Sequence, residues 1–317
     1  MYFNIILTCR TADFTQNSIF IYTFLLIDIK AQIRKMFFTH FGMYRTAGRS
    51  DACCNTEQDR QAMYVCAVAN QKGGVGKTTT TQNLGTVLAR NHKKNVLLLD
   101  LDAQGTLTDA CGIDPATLER TTYQVLSGDV RLDDALHHLE PRLDLLPSNI
   151  NLSVAELAFA GRMGRENLFR KALAGTSVKY DYVLIDCPPS LGLLTVNALS
   201  AAAGLLVPVQ VEYHALAGLA LIRQTVDMVR ENLNPSLHIT GLVLTFFDSR
   251  KRLNKDVARV LEEEWGDMVF RTRIRDNVSL AEAPSDGKDI HTYRKNSAGA
   301  IDHLALAKEF LKRTRGK

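Results

Sequence analysis

The sequence lacks any long hydrophobic run. The longest candidate, Ile19–Ile27, is about half of the roughly 20 residues that a spanning helix needs. It also lacks paired cysteines. Six are present, at 9, 53, 54, 66, 111 and 187, and none forms a C-x-x-C unit. That excludes a disulfide-stapled scaffold and fits a reducing, cytoplasmic setting. A strong charge bias is missing too: the net charge is +4, so bulk composition does not announce a nucleic-acid binder, and such a claim must rest on where the cations cluster. What remains is a chain of 317 residues, 46% apolar and 23% charged, the composition of a globular protein with a sizeable core.

Residues 1–62 lack periodicity of either kind. They are expected to be an N-terminal extension, either a poorly ordered tail or a mis-assigned start, with the natural start at Met43 or Met63. A signal peptide fits poorly, because Asp13 precedes the apolar stretch and no small-residue cleavage site follows it. From Met63 to Lys317 no repeat or low-complexity linker interrupts the chain, which reads as one domain.

From Met63 the pattern is regular. Short apolar runs read as strands: "MYVCAVAN", "NVLLLDLD", "LDLLPS", "YDYVLIDCPPS", "GLLVPVQ" and "HITGLVLTFFD". Helical stretches are expected at about Thr78–Arg90, then Asn151–Ala160, Leu193–Ala203, Ala215–Asn232, Asn254–Trp265 and Ala298–Thr314. Continuously apolar strands alternating with helices predict an α/β fold, a mostly parallel sheet with helices on both faces. Ligands of such sheets bind at the carboxyl ends of the strands.

One such end carries "VANQKGGVGKTTTTQNL", Val68–Leu84. It nearly fits the phosphate-loop pattern G-x-x-x-x-G-K-[ST], but Gln71 stands where the first glycine belongs, and a second lysine, Lys72, follows it. Gly73, Gly74 and Gly76 free the backbone to wrap an anion. Their N–H groups and the start of the next helix favour phosphate. The stretch Gly73–Thr79, with Val75 and Thr79 included, is therefore the expected nucleotide cradle. Lys77 would neutralise phosphate oxygens and the Thr78 hydroxyl would ligate Mg²⁺. Asp186, closing the strand "YVLID", is placed to hold the same ion. In "DLDAQG" the two carboxylates Asp100 and Asp102, two residues apart at a strand end, are expected to point to opposite faces of the sheet. Asp102, nearer the loop, is favoured to orient or deprotonate water.

A basic run, "DSRKRLNK", holds Arg250, Lys251, Arg252 and Lys255. With Arg223 and Arg230 before it and Lys288 and Arg294 after it, it could form a face that contacts phosphates without reading bases. Charge runs are more often simply solvated. Trp265 is expected to be packing. His137 and His138 have no second ligand pair and suggest no metal site. Tyr213 and His214 follow a strand end and suit an interface or a structural role.

Taken together, "KGGVGKTTT", "LLLDLDAQG", "VLIDCPPS", "VPVQVEYHALAGL" and "SLAEAPSDGKDI" resemble the ParA/Soj chromosome-partitioning ATPases, members of the deviant Walker-A group of P-loop NTPases that also contains the MinD ATPases. The resemblance implies a set of roles. Lys72 would reach across an ATP-dependent homodimer to the partner's nucleotide, and Lys77 and Thr78 would act as the ordinary phosphate lysine and magnesium ligand. Asp102 would be catalytic and Asp186 the Walker-B residue. It further implies ATP and Mg²⁺ as cofactors, non-specific binding of double-stranded DNA by the ATP-bound dimer, with Arg250 matching an arginine implicated in that binding, a ParB-type partner that stimulates slow hydrolysis, and a nucleoid-associated, cytoplasmic location without a membrane. No extra arginine finger stands near the motifs, which fits slow intrinsic turnover. The sequence departs from the family pattern at "IRDNVSLAEAPS", where Arg275 replaces a proline near the adenine and Asp276 and Ser279 replace arginines.

Three rival readings follow. The same ATPase chemistry could position another cargo. A MinD-like membrane ATPase would need a free C-terminal amphipathic helix, although Leu304, Leu306, Phe310 and Leu311 are better read as that helix's packing face. A redox protein like the nitrogenase iron protein would need cluster-binding cysteines, for which Cys111 and Cys187 are poorly placed.

Overall fold

The computed structural model describes residues 63–212 and 215–315. The expectation for residues 1–62 and the roles suggested for Tyr213 and His214 lie outside the described residues. Eight strands form one sheet: β1 Tyr64–Val68, β2 Val96–Asp100, β3 His137–Glu140, β4 Leu143–Leu146, β5 Tyr182–Asp186, β6 Gly204–Gln210, β7 His238–Phe247 and β8 Val269–Arg275. Their order is β3-β4-β2-β5-β1-β6-β7-β8, and every pairing is parallel except β3 with β4. Among the described residues, helices of nine residues or more are α1 Lys77–His92, α2 Leu193–Ala201, α3 Ala215–Asn232, α4 Arg252–Trp265 and α5 Ala298–Thr314.

Strand alternation divides the core into two layers. Ala67, Leu97, Leu99, Val183 and Ile185 face Leu194 and Ala198 of α2, Leu219 and Ile222 of α3, and Leu261 of α4. Their neighbours Cys66, Leu98 and Leu184 face Leu84 and Leu88 of α1 and Leu306 and Phe310 of α5. All five positions of β1, β2 and β5 are therefore buried, as expected of parallel strands covered on both sides. α1 lies close on the sheet because Gly85 has no side chain. A Cβ there would collide with Leu98 Cδ2.

The six expected strands are present. Two more were not foreseen. β3 is an antiparallel edge strand, and its sequence, "HHLE", lacks an apolar run because an edge strand is only half covered. β8, "VFRTRIR", closes the other edge; it alternates, with Phe270 and Ile274 turned inward. The helix expected over Asn151–Ala160 is shorter: a 3₁₀ turn at Ile150–Val154 leads into four α-helical residues, Ala155–Ala158. Leu152, Ala155 and Phe159 of this stretch are buried at helical spacing, which is what the sequence pattern showed, although the backbone is 3₁₀ over its first half.

β1 lies between β5 and β6: the chain runs from β1 to β2 on one side, and later crosses from β5 to β6 on the other. The sheet thus opens a crevice at the carboxyl end of β1, and the phosphate loop fills that place.

Candidate active site

Two side-chain staples fix the loop after β1. Asn70 Nδ2 donates to Pro208 O at 2.7 Å, while Asn70 Oδ1 accepts from Lys72 N at 3.0 Å, tying the loop to β6. Thr245 Oγ1 donates to Val75 O at 2.9 Å, tying it to β7. Gly74 (φ 72°) and Gly76 (φ 86°) adopt the left-handed conformation, and Gly76 sits directly before α1. Gln71 and Gly73 do not. The missing first glycine therefore costs nothing here: of the three glycines expected to free the backbone, Gly74 and Gly76 take the left-handed conformation.

Below the loop, three strands bring their carboxyl ends together. Asp186 pairs in register with Val68 on one side and Asp100 on the other. Thr78 Oγ1, in the first turn of α1, donates to Asp186 Oδ2 at 2.6 Å, and Thr81 Oγ1 reaches Asp186 Oδ1 at 3.4 Å. Asp186 is 1% exposed. Burial, reinforced by Asp100, pushes its carboxyl up to about 8, against the opposing pull of the Thr78 hydrogen bond and the Lys77 charge. Lys77 is buried as well. Burial lowers its ammonium below the usual lysine range, Asp186 counters this, and Nζ donates to Lys72 O at 3.2 Å. A buried carboxylate crowded by a second one, with a hydroxyl in contact, suits a hard divalent cation. The oxygen pair from Thr78 and Asp186 fits magnesium. Val75 is buried, and Thr79 O accepts from Asn83 Nδ2 at 2.8 Å, so the end of the cradle is built into α1.

Asp100 and Asp102 do separate, but for a different reason than strand geometry. Residues two apart on one strand share a face. β2 ends at Asp100, and Asp102 lies in the loop beyond it. Asp100 is fully buried and accepts from Thr108 N (2.9 Å) and Thr108 Oγ1 (2.7 Å). Burial raises its carboxyl to about 6. It anchors the short helix Thr106–Ala110. Asp102 is half-buried, and its Oδ1 accepts from Gln104 N at 3.0 Å.

Lys72 lies on the outer side of the same loop, with 48% of its side chain exposed. Its Nζ donates to Gln210 Oε1 at 3.0 Å and pairs with Glu212. Sequence reasoning gave these two residues no role. The available signal was the pair of polar residues Gln210 and Glu212 that closes the apolar run of β6.

The basic run lies at the start of α4, and a carboxylate partners each of its three leading cations. Arg250 grips Asp248 through Nε (3.0 Å) and Nη2 (2.9 Å), Lys251 Nζ lies 3.9 Å from Asp276, and Arg252 Nε lies 3.7 Å from Asp256. Arg223 is exposed on α3, where Arg230 pairs with Asp227 at 3.8 Å. Arg294 donates to Ser279 Oγ at 3.2 Å, and Lys288 pairs with Asp286 at 3.2 Å. Arg275 is drawn to Asp302 of α5 at 2.7–3.1 Å, so it ties β8 to that helix.

The residues behind the rival readings have other work. Leu306 and Phe310 are fully buried, with Leu304 and Leu311 packed beside them, so α5 places its apolar face in the core. No helix among the described residues is long and apolar enough to cross a membrane. Cys187 is 1% exposed, and burial raises its thiol far above the usual range.

Comparison with known proteins matches this geometry. A family profile described as an AAA domain covers residues 63–239. The sporulation initiation inhibitor protein Soj of Bacillus subtilis is 44% identical over 246 residues, 77% of this chain and 97% of Soj. The chromosome partitioning protein ParA of Caulobacter vibrioides is 44% identical over 258 residues, 80% of this chain and 96% of that protein. The chain belongs to the ParA/Soj family of ATPases. Its fold also matches a solved structure of cobyrinic acid a,c-diamide synthase from Mycobacterium smegmatis with bound ADP and magnesium, at 37% identity and a TM-score of 0.71, covering 80% of this chain and 96% of that one. The same enzyme has been solved with an ATP analogue and magnesium. The ParA/Soj relatives named here match from the phosphate loop's domain rather than from the loop alone, since each is covered almost end to end.

Proposed function

We propose that this ParA/Soj ATPase binds ATP and Mg²⁺ in the cradle Gly73–Thr79, dimerises when ATP is bound, and in that state holds double-stranded DNA without reading its sequence. A ParB-type partner then stimulates hydrolysis and releases it, which moves a chromosome or plasmid on the nucleoid. The observation that carries this reading is the pairing of two lysines with different surroundings on one loop. Lys77 is buried beside Thr78 and Asp186, while Lys72 is half-exposed and its ammonium meets Gln210 and Glu212. Their different surroundings support separate roles for the two cations.

The roles follow from position. Backbone N–H groups of the loop and of the first turn of α1 bind and orient the phosphates. Lys77 neutralises their charge, and Thr78 and Asp186 hold magnesium, which when bound polarises the terminal phosphate. Asp102, beyond the strand end and open to water, orients the attacking water and takes its proton. Lys72 leaves Glu212 to meet the second subunit's nucleotide. Arg223, Arg250, Lys251 and Arg252 contact DNA phosphates. The packing of the α5 apolar face in the core supports the reading without membrane attachment through that helix.

The test is nucleotide binding by calorimetry. Lys77→Ala is expected to lose measurable Mg·ATP affinity, since charged hydrogen-bond partners at phosphate are worth about 1.5–3 kcal/mol each, whereas Lys72→Ala should bind as a monomer at near wild-type strength. Equal losses in both variants would contradict the division of roles.

A further inference from the structure

β7 carries one residue too many near its carboxyl end. Leu244 pairs with Arg273 and Phe247 with Arg275, so Thr245 and Phe246 together oppose Ile274 alone. Such a bulge re-aims a side chain and is common beside active sites. Here it re-aims Phe246, whose φ of 52° is a left-handed conformation that side chains other than those of glycine, asparagine and aspartate rarely adopt. Burial does not compensate. Phe247 takes the inward place in the core, at 7% exposure, while Phe246 remains 40% exposed.

The re-aimed ring lies against the phosphate loop. Phe246 Cε2 is 3.9 Å from where a Cβ on Gly76 would stand, and the adjacent Thr245 Oγ1 holds Val75 O at 2.9 Å. The direction of a bound nucleotide follows from the sheet order. The metal-ligand pair Thr78–Asp186 and the carboxylate Asp102 lie on the β5 and β2 side of β1, which marks the terminal-phosphate end. β7 lies on the opposite side of β1, beyond β6. A nucleotide laid across the loop therefore extends its nucleoside towards β7. There an exposed aromatic ring is held in a conformation that costs the fold stability. Arg275, aligned with Phe247 at this rim, is drawn to Asp302 of α5.

We infer that Phe246 is the platform on which the base of the bound nucleotide stacks. This rests on the nucleotide-site reading above and adds a residue that sets affinity for the base rather than for the phosphates. Stacking on an aromatic side chain tolerates any base, so Phe246 supplies strength more than discrimination.

Calorimetry with Mg·ADP and, separately, with inorganic tripolyphosphate tests the assignment. Phe246→Gly removes the ring and suits the left-handed backbone. It should weaken Mg·ADP roughly ten-fold, leave tripolyphosphate affinity unchanged, and keep or raise the Tm of the nucleotide-free protein. Phe246→Asn, also tolerated in this conformation, should behave alike in both titrations, and Phe246→Tyr should bind Mg·ADP as the wild type does. Wild-type Mg·ADP affinity in Phe246→Gly and Phe246→Asn would overturn the inference. So would an equal loss of both ligands, which would make the ring a prop for the loop. A wild-type protein that binds neither ligand would instead overturn the nucleotide-site reading on which the inference rests.

Discussion

The phosphate cradle and the basic run at the start of α4 both sit at carboxyl ends of strands, yet they are built in opposite ways. In the cradle the charged groups are buried and fixed from several elements at once. Asp186 is flanked by β1 and β2, bonded by Thr78 and Thr81, and sealed under α1. In the basic run the charges are exposed, with Arg250 at 90% and Arg252 at 96%, and each leans on a nearby carboxylate. A buried group whose partner is missing destabilises the fold; an exposed pair contributes little either way. The cradle should thus trade stability for function, and the basic run should tune function with almost no effect on stability.

The largest expected effect comes from Asp186→Asn. Hydrolysis should fall by on the order of 10²-fold or more, as when a preorganised electrostatic group is removed. The nucleotide-free protein should become more stable at pH 8 and above, by on the order of 1–3 kcal/mol. The sign follows from the raised carboxyl. Its folded value of about 8 exceeds the unfolded 3.8, so folding takes up a proton. The stabilisation is complete below the unfolded value and is lost as the pH rises through about 8. Asp100, raised to about 6, acts in the same direction at lower pH. Thermal unfolding at pH 5.5 and 8.5 without nucleotide or magnesium should show a fall with pH in the wild type that is smaller in the variant. An unchanged pH profile would mean that Asp186 is not strained by burial.

A smaller effect, confined to binding, is expected at the basic run. Arg250→Glu with Arg252→Glu should abolish DNA retention while Mg·ATP affinity and thermal stability stay close to wild type. Asp276→Arg sharpens the comparison. It removes the carboxylate beside Lys251 and should tighten DNA binding, steepening its salt dependence by about one phosphate contact. Filter retention across a salt series reads both. DNA retention unaffected by the double reversal would move the interface elsewhere.

The same contrast explains what the sequence made legible. Strands β1, β2, β5, β6 and β7 were readable because both faces are covered and the apolar runs are continuous. β3 and β8 were not, since edge strands need only a partial apolar face. Within the site, the phosphate loop announced itself by residue order, but its details depended on contacts made at a distance. Gly76 rather than Gly73 turns left-handed because Thr245 and α1 fix the chain on either side of it. Asp100 and Asp102 part because β2 stops between them. Glu212 and Gln210 meet Lys72 across 138 or more residues of chain, a pairing that no local pattern encodes. The strain at Phe246 is a property of the β7–β8 register and is equally invisible along the sequence.

Lys77 and Lys72 are proposed to serve two subunits from one loop. Light scattering of the size-fractionated protein with Mg·ATP, for the wild type and for Lys72→Ala, tests it most directly. The wild type should form an ATP-dependent dimer, and Lys72→Ala a monomer, or a dimer that does not turn over ATP, although nucleotide still binds. A Lys72→Ala dimer that forms and hydrolyses ATP as the wild type does would contradict it.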